Sequence, residues 1–133
     1  MRYLTTCLFI AAAIVLAAFA GAAMAETEGG KATFERVCAA CHLPTGEGMP
    51  GVFPPVKKSD YFRKATPAQL VRLLDNGLTG EVVVNGQKFN SAMPPQGLSD
   101  EDTAAVLNYV STALNGGKAA LTAEQVKRLR AAR

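Results

Sequence analysis

Apolar positions divide the 133 residues into a leader and a series of short amphipathic segments. Residues 4–23 are dominated by Leu, Phe, Ile, Val and Ala behind a single charge at Arg2. Ala23-Met24-Ala25 then places small residues three and one before a cut. A charged start, an apolar middle and a small-residue cut form an export signal. The pattern predicts a cleaved leader over residues 1–25 and a mature chain of 108 residues from Glu26. An uncleaved anchor is the competing reading, since the run is long enough to span a bilayer. The polar, Gly-containing residues 26–31 favour cleavage. Cys7 precedes most of the apolar stretch, which argues against a lipoprotein, so it is expected to leave with the leader.

The periodicity after the leader predicts an all-α domain interrupted by one hairpin. A first helix is expected over residues 28–40, with Phe34, Val37 and Gly30 facing inward. Glycine inside a helix costs about 1 kcal/mol against alanine, and Gly30 is expected to admit a second helix at close range. Residues 43–61 are broken by Gly and Pro and read as a loop. Thr66, Pro67 and Gln69 supply a cap, a first-turn proline and a capping box. Leu70, Val71, Leu73 and Leu74 form that helix's apolar side, and Gly77 ends it. Asn85-Gly86 between short extended runs predicts a hairpin within residues 81–90. Ser99 can cap a further helix, with Asp102 at the box position, Leu98 as a staple, and Ala105, Val106, Tyr109 and Val110 on its apolar face. Phe34 and Tyr109 are the expected crossing residues.

Asn115-Gly116-Gly117 breaks the chain, so one domain over 26–117 and a basic extension over 118–133 are expected. Thr122 can cap a short helix there, with Leu121, Val126 and Leu129 on one side. This extension has three open fates: packing on the body, touching an acidic partner, or fraying. A solvated, functionally silent tail is the default expectation.

Charge narrows the function only by exclusion. From Glu26 onward thirteen Lys and Arg oppose eleven Asp and Glu, a net +2. The extension carries five basic residues and one acidic residue, leaving the body at −2. No strong basic field marks a nucleic-acid binder. A domain this small has a thin core and often needs a staple or a cofactor.

Cys38-Ala39-Ala40-Cys41-His42 supplies the candidate chemistry. C-x-x-C-H is the haem c attachment signature: two thiols add to the two vinyl groups of one haem, and the adjacent histidine reaches the iron. A thioredoxin-like dithiol would want a preceding strand, and a structural zinc site would need a fourth ligand. Neither is present in the pattern. Met93, in Asn90-Ser91-Ala92-Met93-Pro94-Pro95, is the expected sixth ligand. A His/Met pair raises the potential of haem iron, and the prolines stiffen the methionine's loop. Met49 lies too close to His42 to cross easily to the opposite haem face. The second nitrogen of His42 needs an acceptor. A proline carbonyl in Gly51-Val52-Phe53-Pro54-Pro55 is the candidate, with Pro54 ahead of Pro55.

Gly30, Phe34, the Cys38–His42 motif, the Pro54 region, Met93-Pro94 and Tyr109 together resemble class I cytochromes c, over Gly29 to Leu114. The resemblance implies that small fold around one haem c, with the hairpin before the methionine ligand and His42 and Met93 as the metal ligands. It implies one-electron transfer through an exposed haem edge, with no catalytic residue and no substrate. The proline loop and the Met-Pro-Pro hairpin look closer to cytochrome domains or subunits attached to copper nitrite reductases and to periplasmic dehydrogenases. The chain departs from the fused members in lacking a catalytic domain, and its basic extension is unexplained by the family pattern. The implied setting is the periplasm of a Gram-negative bacterium. The implied partners are a periplasmic reductase or dehydrogenase, a terminal oxidase or a quinol-oxidising complex, met as a monomeric shuttle or as a subunit. Lys57, Lys58, Arg63 and Lys64 are candidates for a basic docking rim. A haem-based ligand sensor is the remaining alternative and requires Met93 to leave the iron.

Overall fold

The computed structural model describes residues 28–118 and 121–132. The leader and cleavage site expected over residues 1–25 lie outside the described residues.

Helix α1 runs through residues 28–42. It is α-helical over 28–33, makes a π turn over Phe34–Cys38, and returns to α over Ala39–His42. The Ala39 N–H bonds the Phe34 carbonyl, five residues back. The π turn, a feature that recurs at functional sites, was not legible in the hydrophobic pattern. Helix α2, Asp60–Lys64, begins inside the segment expected to be loop. Ser59 accepts from the Phe62 N–H at 3.2 Å and caps it. The Lys64 ammonium reaches the Asp60 carboxylate at 2.8 Å.

Helix α3, Pro67–Asn76, carries the expected capping box. Gln69 N–H donates to Thr66 Oγ1 at 3.3 Å, and Thr66 N–H donates to Gln69 Oε1 at 2.8 Å. Gly77, with φ +73°, terminates the helix. Strands β1, Val82–Val84, and β2, Gln87–Phe89, pair antiparallel with Val82 opposite Phe89. Asn85 and Gly86 both take positive φ, as a tight primed turn requires.

Helix α4, Asp100–Tyr109, is capped by Ser99 and continues as a second π turn over Val110–Leu114. Asp102 does not close the expected capping box. Its carboxylate accepts from Thr33 Oγ1 and from Arg36, each at 3.2 Å, and ties α4 to α1. The two helices cross where Gly30 stands: a methyl there would overlap the Ala105 carbonyl oxygen and lie 2.8 Å from Tyr109 Cβ. The Phe34 and Tyr109 rings meet at 5.6 Å, tilted by 51°.

Helix α5, Ala123–Ala131, corrects the expectation of a solvated tail. Val126 is fully buried, and the helix packs on α3 and α4. Arg130 bonds Asp75 at the end of α3 and Asp100 at the start of α4. One apolar stripe and one arginine with acidic partners on the body outweigh the exposed basic face. The core is built around Phe34, Val71, Val106 and Val126, which join all four long helices.

Candidate functional site

The last turns of α1 place Cys38, Cys41 and His42 along one side of a deep cleft. Helical residues three and four apart share a face, which is why one short motif can present all three side chains together. The cleft measures about 1250 Å³ with its mouth included. Phe34 and Val37 of α1, Leu70 and Leu74 of α3, and Val106, Leu107 and Val110 of the α4 segment line it. Pro54, Pro55, Phe62, Val82 and Val84 complete an almost wholly apolar wall.

His42 Nδ1 lies 2.8 Å from the Pro54 carbonyl oxygen. A carbonyl only accepts, so Nδ1 carries the proton and Nε2 keeps its lone pair. Burial lowers the His42 pKa against the opposing pull of the Pro54 bond, so the ring is neutral at pH 7. Cys38 and Cys41 are half-buried and form no disulfide with each other. Burial, with the Cys41 sulfur adding to it, pushes the Cys38 thiol up to about 11.

Met93 reaches the same cleft from a different segment. Its backbone exchanges two hydrogen bonds with Leu78, each 2.8 Å. The Gln96 N–H bonds the Leu74 carbonyl at 2.8 Å. The segment carrying the methionine is therefore laced back to the end of α3. Met49 instead pairs with Phe53 in the proline loop and is not among the cleft-lining residues.

Two glycines set this geometry without having been singled out for it. Gly48 has φ +68°, and a methyl there would overlap the Phe53 carbonyl and lie 2.6 Å from the Pro54 oxygen. Gly77 ends α3 as expected, but it also faces Met93: a methyl would overlap the Met93 carbonyl oxygen. The helix-stop signal marked Gly77, whereas nothing local marks its later neighbour. Of the four rim candidates, Lys57 pairs with Glu47 at 3.0 Å and Lys64 with Asp60 at 2.8 Å.

The donor set fits a haem. A neutral imidazole and a thioether line one apolar cleft, and two cysteines three residues apart precede the imidazole and line the same cleft. Residues 27–114 match the cytochrome c family model.

The chain belongs to the cytochrome c family.

Two relatives named cytochrome c-552, both from Thermus thermophilus, are similar across most of the chain. One is 38% identical over 120 residues, covering 84% of this chain and 80% of the relative. The other is 39% identical over 103 residues, covering 71% and 79%. The fructose dehydrogenase cytochrome subunit of Gluconobacter japonicus is 28% identical over 113 residues, covering 81% of this chain but 23% of that subunit. As a class I cytochrome c, this chain is an electron-transfer haem protein, and its family works as carriers and not as enzymes. Cys38 and Cys41 stand at the haem c attachment spacing. Helix α5 lies beyond the residues the family model matches.

Proposed function

We propose that this cytochrome c carries single electrons between exported redox proteins, with one haem that Cys38 and Cys41 would bind covalently and whose iron His42 and Met93 would hold. The bound haem supplies an iron that passes between ferrous and ferric states. The chain's own residues fix its surroundings. The Pro54 carbonyl holds the His42 ring in one tautomer and orientation, and Leu78 holds the Met93 backbone. The apolar walls keep water away, which favours the less charged ferrous state and a positive potential. His42 and Met93 would hold the iron from separate, anchored segments, so little of the chain would have to move on a change of oxidation state.

One observation carries the reading. His42, fixed by Pro54, and Met93, fixed by Leu78, line the same apolar cleft from different parts of the chain. The leader pattern supports periplasmic placement and a mature chain starting at Glu26. The docking of α5 through buried Val126 supports reading this helix as part of the same domain. Similarity to a dehydrogenase cytochrome subunit favours a second arrangement, in which the chain stays bound to a periplasmic dehydrogenase or reductase.

Mass spectrometry of the denatured, purified protein tests attachment and processing together. The expected mass is that of residues 26–133 plus one haem, and Cys38→Ser with Cys41→Ser should release the haem on denaturation. A native chain that loses its haem on denaturation contradicts the covalent reading.

A further inference from the structure

Arg130, on the helix beyond the family match, binds both ends of the segment that bears Met93. Its Nε and Nη2 donate to the two Asp75 carboxylate oxygens at 3.1 and 2.7 Å. Asp75 belongs to the last turns of α3, just before that segment leaves the helix. Its Nη2 also donates to the Leu98 carbonyl at 3.0 Å and to Thr103 Oγ1 at 3.1 Å, and Nη1 donates to Asp100. Leu98 and Asp100 stand where the same segment re-enters helix. The Leu78–Met93 pair lies inside this tie, and the Gln96–Leu74 bond runs beside it. The arginine is three-quarters buried, and its planar fork meets Asp75 with two parallel bonds.

We propose that Arg130 is a positioning residue for Met93: it clamps the two ends of the methionine segment and so keeps the sulfur at its place in the cleft. The inference rests on the assignment of Met93 as an iron ligand. A two-ended clamp works by raising the free energy of local opening, and such openings are graded across a fold and need not follow global stability. An arginine that served only to dock α5 would have no reason to span Asp75 and Leu98. Lysine replaces it only in part, since an ammonium keeps the charge but lacks the fixed planar fork that meets a carboxylate with two parallel bonds.

The test compares Arg130→Gln, Arg130→Lys, Asp75→Asn and Val126→Ala in the full-length holoprotein. Val126 docks the same helix through its buried side chain alone. Cyanide binding to the ferric protein reads how often Met93 leaves the iron, and the unfolding midpoint reads global stability. Arg130→Gln should accelerate cyanide binding by about tenfold over Val126→Ala at a comparable loss of midpoint, the scale of a loosened local opening. Arg130→Lys and Asp75→Asn should fall between wild type and Arg130→Gln. If all four variants follow one line of cyanide rate against midpoint, Arg130 is only a helix dock and the proposal is wrong. The ligand assignment is checked separately: Met93→Ala should bind cyanide faster than every other variant. If it matches wild type, the assignment itself fails, and the clamp falls with it.

Discussion

Leu78 and Met93 exchange both of their backbone hydrogen bonds, each 2.8 Å long, immediately after the glycine that ends α3. Helix termination and the placement of Met93 are thus one feature. Gly77→Ala should break it. The substitution meets φ +73° with ψ −169°, a region essentially confined to glycine, costing about 1–3 kcal/mol, and also drives a methyl into the Met93 carbonyl. Gly51 is the control, with φ +72° and open space around its missing Cβ. Gly51→Ala should lose stability without opening the iron. Gly77→Ala should lose stability and bind CO in the reduced state.

Gly48 bears on His42 through the Pro54 carbonyl. Alanine there would push against the Phe53 and Pro54 carbonyls and lengthen the His42–Pro54 bond. A weaker bond at Nδ1 makes the imidazole a poorer donor to ferric iron. If the bond favours the ferric state by about 1 kcal/mol, its loss raises the one-electron potential by roughly 40 mV. Redox titration of Gly48→Ala should show a rise; an unchanged or lower potential would refute this role for the Pro54 carbonyl.

Asp60 and Asn85 bind each other reciprocally. The Asn85 N–H donates to the Asp60 carboxylate at 2.6 Å, and the Asp60 N–H donates to Asn85 Oδ1 at 2.9 Å. The Lys64 hydrogen bond, followed by that of the Asn85 backbone, holds the Asp60 pKa down at about 2. An unfolded aspartate titrates near about 3.9. The folded value is depressed, so the contribution to stability is present above about pH 4 and lost as pH falls toward about 2. Asp60→Asn should flatten the stability profile in that window. Acid titration followed by circular dichroism checks it.

At the α1–α4 crossing two effects compete. Gly30→Ala gains up to about 1 kcal/mol of helix propensity. It also places a methyl into Ala105 and Tyr109, and overpacking costs about 1–3 kcal/mol. The structure leaves no room beside the Ala105 backbone, so a net loss is expected in denaturant unfolding.

The legible parts of the sequence were those governed by neighbours. Thr66, Pro67 and Gln69 cap α3 through contacts three residues long, and Asn85-Gly86 turns the hairpin by its own backbone preference. Gly30 was readable because a helical glycine asks for a reason. The rest depends on distant partners. Arg130 meets Asp75 and Asp100 across 55 and 30 residues, so its extension looked solvated. Asp102 fits a local box, but it turned to Thr33 and Arg36 on a helix far back in the chain. Gly48 and Gly77 matter through carbonyls that only the folded chain brings near. Helix α2 had a local signal in Ser59-Asp60, masked by the glycines and prolines before it.

The central claim is that His42 and Met93 both hold the iron in both oxidation states. Visible absorption of the purified holoprotein, oxidised and then reduced, with and without CO, tests it most directly. Low-spin spectra in both states and no reaction with CO are the expected result. High-spin character, or ready CO binding by the reduced protein, would mean an open sixth position and contradict the carrier mechanism.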